Sequence, residues 1–167
     1  MNVFPAVEVK SFEKCNPGEL IRFLNDEGNS SFGVIVTQTN EWQEVERLVC
    51  EFRDGEVRLS DYTLGEHVIS LGSEWEIVLS DFDVRTRTKG QLKPGIVLLK
   101  DSRPYWFIGA GDPSTGGLRA VSLKEARVGN LAMVGQVAYS WSLRLPDYSD
   151  KHPSPTDLIT FSAKPTT

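Results

Sequence analysis

Short apolar segments separated by turn-forming residues extend along most of this 167-residue chain. The segments are apolar or alternate in polarity, and Gly, Pro, Asp or Asn bounds them throughout. This pattern is typical of β-strands joined by tight turns, and evenly spaced short strands favour a barrel or a sandwich. The sequence therefore predicts an all-β protein.

Local signals refine this prediction at three turns. Asp54-Gly55 lies between two apolar runs, and Asp-Gly supplies the positive φ angles of a tight β-hairpin turn. Residues 40–46 and 122–125 predict short helical turns. Around the first, Trp42, Val45, Val49 and Phe52 have helical spacing, whereas Leu48, Cys50 and Phe52 alternate like a strand, so we expect a strand to follow the turn. The second is a Ser-x-x-Glu capping box, and Gly129 would end its short helix.

The same series of turn residues, apolar strands and tryptophans occurs twice in the chain in the same order, which indicates an internal duplication. It predicts two similar small β-barrels in tandem, formed by residues 1–83 and 84–146. The matched landmarks are Pro17-Gly18 with Pro94-Gly95, residues 32–36 with 105–109, residues 55–60 with 117–122, Gly65 with Gly129, and Trp75 with Trp141.

Residues 147–167 contain prolines at positions 153, 155 and 165 and few apolar residues. Such a composition predicts a flexible C-terminal tail. The alternative is that residues 157–162, which include Leu158, Ile159 and Phe161, add an edge strand to a sheet.

Composition places the chain among folded globular proteins, with 40% hydrophobic and 25% charged residues. Its 18 basic and 23 acidic residues give a net charge of −5 and a pI near 5.1, which disfavours nucleic acid as the partner. The N-terminal residues show no signal-peptide pattern, and no segment is long and apolar enough to cross a membrane as a helix. We therefore expect a cytoplasmic protein without membrane contact.

Residues suited to catalysis or metal binding are scarce. The two cysteines, Cys15 and Cys50, are far apart and predict reduced core thiols. Of the two histidines, His67 begins a predicted strand and His152 lies in the proline-rich tail, so neither is placed for general base catalysis beside a nucleophile. The sequence predicts no catalytic residue, no metal site and no cofactor.

One local pattern resembles a known family of enzymes. Residues 94–99, a Pro-Gly turn and an aliphatic strand, precede Ser102-Arg103-Pro104 and another apolar strand. This resembles the opening hairpin of the growth-inhibitor toxins of toxin-antitoxin systems, which are small-barrel endoribonucleases. The resemblance implies that Arg103 would stabilise the charged transition state of phosphodiester cleavage. Ile96 stands where that family has an acidic residue, and the acidic pI does not suit an RNA-cleaving surface.

Aromatic residues suggest binding rather than catalysis. Tyr105 and Trp106 are adjacent, so one of them points to each face of their strand, and Trp42 lies in a polar stretch that lengthens the first copy. We take Trp42, Arg103, Tyr105 and Trp106 as candidate binding residues, because exposed aromatic and Arg side chains often anchor protein contacts. The favoured function is a non-catalytic binding or regulatory module that contacts a protein partner. The alternatives are a toxin-like endoribonuclease and a small-ligand-binding barrel.

Overall fold

The computed structural model describes residues 7–53, 55–61, 67–83, 94–95, 97–99, 106–113, 116–129, 136–145 and 157–162, and of these it describes only the backbone at 81–83, 97–99, 106–107 and 136–137. The described residues contain 13 strands and one short 3₁₀ helix, Phe12–Lys14. The strands are β1 (Glu8–Lys10), β2 (Leu20–Leu24), β3 (Ser30–Thr39), β4 (Val45–Arg53), β5 (Glu56–Ser60), β6 (Val68–Ser70), β7 (Glu76–Asp83), β8 (Val97–Leu99), β9 (Trp106–Asp112), β10 (Gly117–Ser122), β11 (Arg127–Gly129), β12 (Gln136–Arg144) and β13 (Asp157–Ser162).

Six of these strands close into a single barrel. Strands β3, β4 and β5 form one antiparallel meander, and β9, β10 and β11 form another. Two parallel pairings join the meanders: β5 with β9 at Arg58 and Gly111, and β11 with β3 at Arg127 and Thr37. The all-β prediction is confirmed.

The two predicted tandem barrels are not observed in the described residues. Each half of the chain supplies a three-stranded meander, which has two open edges and one apolar face. Pairing the edges of one meander with those of the other leaves fewer unpaired backbone groups and encloses the two apolar faces together. The two halves therefore share one barrel.

Further strands extend the sheet on both sides of the barrel. On one side β2 pairs with β3, followed by β6 and β1; on the other, β8 pairs with β9, followed by β12 and β13. Strand β7 pairs with the opposite edge of β12 from β13, because residues 141–144 of β12 are paired with both strands.

The core has two clusters: a large one made of residues from the barrel strands and from β2, β12 and β13, and a smaller one made mainly of residues from β2, β3, β4 and β6. Along β3, Val34 and Val36 enter the large cluster whereas Ile35 enters the smaller one, so this strand is buried on both faces. Cys50 belongs to the first cluster and Cys15 to the second. Both thiols are buried and free, as predicted.

The hairpin prediction is confirmed. Strand β4 ends at Arg53 and β5 begins at Glu56, and these two residues face each other across the ladder. Gly55 has a φ of 75°, a conformation that glycine adopts without steric cost.

The predicted helical turns are wrong in both segments. Residues 40–44 form the tight turn between β3 and β4. In β4, Leu48, Cys50 and Phe52 alternate into the large core cluster, so the expected strand is present. The Ser122 hydroxyl accepts a hydrogen bond from the Glu125 backbone N–H at 3.3 Å, so half of the capping box forms. Ala126, with a φ of 49°, then leads into β11. Because β10 and β11 are neighbouring antiparallel strands, the chain reverses here in a turn.

Part of the predicted tail is ordered structure. Residues Asp157–Ser162 form β13, which pairs antiparallel with β12, so the alternative of an added strand is the correct one for these residues. Phe161 is 2% exposed and its ring stacks on Trp141, with centroids 5.1 Å apart. Burial of an aromatic ring holds this strand against the core.

Candidate functional site

Of the four candidate binding residues, the structure describes the side chain of Trp42 alone. Trp42 lies in the turn between β3 and β4 and is 73% exposed. Arg103 and Tyr105 lie outside the described residues. Trp106 begins β9, with only its backbone described.

A network of hydrogen bonds around Asn40 fixes the turn that carries Trp42. The Asn40 side-chain oxygen accepts hydrogen bonds from the backbone N–H groups of Trp42, at 3.0 Å, and Glu44, at 2.9 Å. The Asn40 amide nitrogen donates to Glu46 at 2.9 Å, and Gln43 takes the positive φ that closes the turn, 65°. Side-chain amides commonly stabilise turns in this way. The indole is therefore presented on a defined backbone.

The surroundings of Trp42 combine apolar surface with negative charge. Val45, the first residue of β4, is 69% exposed. Glu41, Glu44 and Glu46 are exposed around it. We call Trp42, Val45 and these three glutamates the hairpin tip. An exposed aromatic with a charged rim is a common arrangement at protein-binding surfaces.

The strand pairings of the two halves of the chain correspond to each other, and this correspondence locates a second surface. The ladders place β2, β3, β4 and β5 in the first half where β8, β9, β10 and β11 lie in the second. The match of residues 55–60 with 117–122 is wrong, because these form β5 and β10, which hold different places in the two meanders. The match of Gly65 with Gly129 stays a prediction, because Gly65 lies outside the described residues. Gly129 is the last residue of β11.

The two Pro-Gly turns make the same contacts. The Trp75 indole donates a hydrogen bond to the Gly18 carbonyl at 2.8 Å, and the Trp141 indole donates to the Gly95 carbonyl at 2.7 Å. Gly18 and Gly95 have φ angles of 91° and 88°. The backbone N–H of Gly18 donates to Ile35 in β3, and that of Gly95 donates to Gly109 in β9. Each half thus contains a cleft between a tryptophan and a Pro-Gly turn.

Strand β13 fills the cleft in the second half. Its Phe161 ring lies directly over Gly95, where an added Cβ would come within 2.1 Å of the ring. The same ring stacks on Trp141, and Phe52 contacts Trp141 edge-on with centroids 5.6 Å apart. Trp141 is consequently fully buried.

Among the residues that the structure describes, no aromatic ring fills the matching cleft in the first half. A cleft of about 630 Å³ is lined on its apolar side by Pro17, Gly18, Trp75, Ile77, Leu123 and Ala126. We call it the Trp75 cleft. Among the described atoms, only the Ala126 Cβ lies within 4 Å of a Cβ built on Gly18, at 3.7 Å. Trp75 is only half-buried, whereas Trp141 is fully buried.

Sequence reasoning missed this cleft, although its elements were visible. Trp75 and the Pro17-Gly18 turn are landmarks of the predicted repeat, and nothing in the sequence indicates that they line a cleft. The distinction between the clefts depends on β13, and its pairing partner could not be read from the sequence.

Buried charges elsewhere are compensated by ion pairs. Glu51 is 1% exposed and receives hydrogen bonds from Arg53 at 2.7 Å and Arg58 at 3.0 Å. Both arginines also contact Asp26, in the turn between β2 and β3. Burial alone would lower the pKa of Arg53, but its contacts with Glu51 and Glu27 outweigh burial and raise that pKa. The network joins the turn between β2 and β3 to the hairpin of β4 and β5. Both of its arginines are already paired with carboxylates.

Glu19 is a second buried carboxylate. It accepts hydrogen bonds from Lys10, Asn16 and Ser70, at 3.0, 2.9 and 2.8 Å. Burial acts to raise the pKa of Glu19, but these three hydrogen bonds outweigh it and hold the pKa below its ordinary value. The carboxylate thereby ties β1 and β6 to the start of β2.

Comparison with known protein families, curated proteins and solved structures finds no match to this chain. Within the part of the chain that the structure describes, no three His, Cys, Asp or Glu side chains are grouped to hold a metal ion. No helix in that part has the length and hydrophobicity required to span a membrane.

Proposed function

We propose that this protein is a non-catalytic binding module that recognises a protein partner through the hairpin tip. The observation that carries the proposal is the 73% exposure of Trp42 on a turn fixed by Asn40. Burying an indole removes a large apolar surface from water, and a fixed turn reduces the entropy lost on binding. The rim of glutamates suits a partner whose pocket is apolar at its centre and basic around it.

Truncation of Trp42 tests this proposal directly. Trp42→Ala is expected to leave the melting temperature unchanged, because the side chain is mostly in water, and to reduce recovery of the partner from a lysate of the source cells. Loss of such an anchor typically costs about 2 kcal/mol or more of binding free energy. Leu24→Ala is the matched control, since Leu24 is also exposed, at 60%, on β2.

Asn40→Ala gives an independent check on the geometry. It leaves the indole in place but removes the acceptor of two turn hydrogen bonds, so we expect weaker binding with Trp42 intact. Unchanged partner recovery by Trp42→Ala would overturn the role of the hairpin tip. A lowered melting temperature for the same variant would instead indicate a structural role for the indole.

The endoribonuclease alternative is tested with single-stranded RNA at neutral pH. We expect no cleavage by the purified protein, since the sequence lacks a paired nucleophile and base and departs from the toxin pattern at Ile96. Cleavage by the wild type that is abolished in Arg103→Ala would replace the binding proposal with the enzymatic one.

We also infer that the two halves descend from a duplicated unit whose copies fold into one barrel. The matched indole contacts with Gly18 and Gly95 support this inference, as do the matched parallel pairings at Arg58 and Arg127. Cytoplasmic location remains part of the proposal and is testable by fractionation of the source cells.

A further inference from the structure

Strand β1 forms the end of the sheet on the side of the first half. It pairs antiparallel with β6, with Glu8 opposite Ser70 and Lys10 opposite Val68. Within the described part of the chain, β6 is its only neighbour. An edge of this kind presents a row of backbone N–H and C=O groups that can pair with a strand from another molecule.

One face of β1 is apolar and exposed. Val9 is 67% exposed, and Val7, which precedes the strand, is 47% exposed. Ile69, directly opposite Val9 in β6, is half-buried. Val9 and Ile69 thus form a small apolar surface that reaches the edge of the sheet.

The opposite face of β1 carries one charge of each sign, because side chains alternate along a strand. The Glu8 side chain is 69% exposed, whereas that of Lys10 is 13% exposed. Lys10 Nζ lies 2.7 Å from Glu19 Oε2 and 3.4 Å from Glu8 Oε2. An exposed lysine on an edge strand hinders the addition of a further strand. The ammonium group of Lys10 is instead held against the buried carboxylate of Glu19.

The side chains of β1 are self-complementary about a two-fold axis through Val9. In an antiparallel pair of β1 strands with Val9 opposite Val9, Glu8 of each copy lies opposite Lys10 of the other. Opposite charges directly across a strand pair stabilise it, and like charges destabilise it. An axis through Glu8 or through Lys10 would place like charges opposite each other. Charge therefore selects the register centred on Val9.

The two other strands with a single neighbour among the described residues, β7 and β13, lack this property. The charged residues of β7 are Glu76, Asp81 and Asp83, and that of β13 is Asp157. Pairing two copies of either strand would bring together charges of one sign only. Strand β1 is therefore the edge best suited to a second copy.

We propose that two copies of this chain form a homodimer by antiparallel pairing of their β1 strands about a two-fold axis at Val9. The sheet then continues through both molecules. Val9 and Ile69 of the two copies form one apolar cluster, and two Glu8–Lys10 pairs lie on the other face. Each copy contributes the same residues, as a two-fold interface requires. This interface is separate from the hairpin tip, so either proposal can fail without the other.

The dimer is expected to be weak. Strand β1 has three residues, and small interfaces are typical of associations that dissociate readily. The net charge of −5 also opposes association between copies. In ordinary buffers, charges more than about 10 Å apart are largely screened, whereas the paired Glu8 and Lys10 side chains would be in contact.

Sedimentation equilibrium of the full chain tests the proposal. We expect the average mass of the wild type to rise from that of a monomer towards that of a dimer between about 5 and 500 µM, the range in which a small contact becomes populated. Glu8→Gln removes both cross-strand charge pairs and should weaken the dimer about fivefold, and Glu8→Lys should weaken it at least tenfold.

Substitutions of Val9 test the register. In the proposed dimer Val9 meets its own copy, so Val9→Lys and Val9→Glu each place like charges opposite each other. Each variant alone should dimerise at least tenfold more weakly than the wild type, whereas an equimolar mixture of the two should recover dimer, because opposite charges then meet. Val45→Lys and Val45→Glu are the controls, since Val45 is equally exposed, at 69%, at the start of β4. They should leave dimerisation unchanged.

Three results would overturn the proposal. The first is a wild type that stays monomeric throughout the concentration range. The second is a dimer that Val9→Lys leaves intact or that the Val45 variants weaken equally, which would place the contact elsewhere. The third is a mixture of Val9→Lys and Val9→Glu that associates no better than either alone. Melting temperatures of dilute Glu8 and Val9 variants within about 2 °C of the wild type establish that lost association reflects the interface.

Discussion

Gly18 and Gly95 lie in matched turns, and alanine substitution at each measures how differently the two clefts are occupied. Both residues have strongly positive φ angles, 91° and 88°, so an added Cβ introduces a similar backbone strain of about 1–2 kcal/mol at either position. At Gly18 the nearest described atom would be 3.7 Å from the new Cβ, which is an ordinary contact. Gly18→Ala should therefore cost only this strain.

At Gly95 the new Cβ would come within 2.1 Å of Phe161 Cζ and 2.3 Å of Cε2. The ring is fixed between Gly95 and Trp141, so relief requires movement of β13, and overpacking of this kind costs about 1–3 kcal/mol. Gly95→Ala should thus lose about 2–5 kcal/mol in total. Urea unfolding of the two variants, compared at equal m values, measures the difference.

A double-mutant cycle isolates the contribution of the ring. Phe161→Leu removes the atoms that the new Cβ would meet, so Gly95→Ala should cost about 1–3 kcal/mol less in that background than in the wild type. The same cycle with Gly18→Ala should show no coupling. Equal losses for Gly18→Ala and Gly95→Ala, or no coupling between Gly95 and Phe161, would refute the placement of β13 over the second cleft.

Two other predictions concern the tryptophans and Glu19. Trp141→Ala should lower the free energy of unfolding by about 3–5 kcal/mol, and Trp75→Ala by about half as much, because Trp75 is only half-buried; equal losses in urea melts would contradict the difference in burial. The pKa of Glu19 is lowered from 4.5 in the folded state, so its contribution is present above the unfolded value and is lost as pH falls through the folded value. Glu19→Gln should therefore be less stable than the wild type at pH 7, and the gap should narrow below pH 4.5; a gap independent of pH would show that the charge contributes nothing.

Local chemistry made several features of the fold predictable. The Asp54-Gly55 turn specifies its hairpin with two residues, because few dipeptides tolerate the required φ angles. The repeated Pro-Gly turns and tryptophans were visible for a similar reason, since each glycine has a positive φ and each indole needs an acceptor for its N–H group. Requirements of this kind act over a few residues and leave a signature in the sequence.

The pairing of distant strands left no comparable signature. The parallel contacts of β5 with β9 and of β11 with β3 are made at single residue pairs, Arg58 with Gly111 and Arg127 with Thr37. Nothing in those residues specifies a partner, so one closed barrel and two separate barrels predict the same local pattern. The helical spacing near Trp42 led to a wrong prediction of a helical turn. Two hydrogen bonds to the Asn40 side chain close a tight turn there instead, and the spacing of the apolar residues does not reveal them.

The flanking residues of the two tryptophans are consistent with the different occupancy of the two clefts. Where β13 is present, Ser140 and Ser142 meet the hydroxyl groups of its residues without burying charge. At Trp75 the corresponding positions hold Glu74 and Glu76, which are both exposed. Charged residues on a sheet edge hinder pairing with further copies of the same chain.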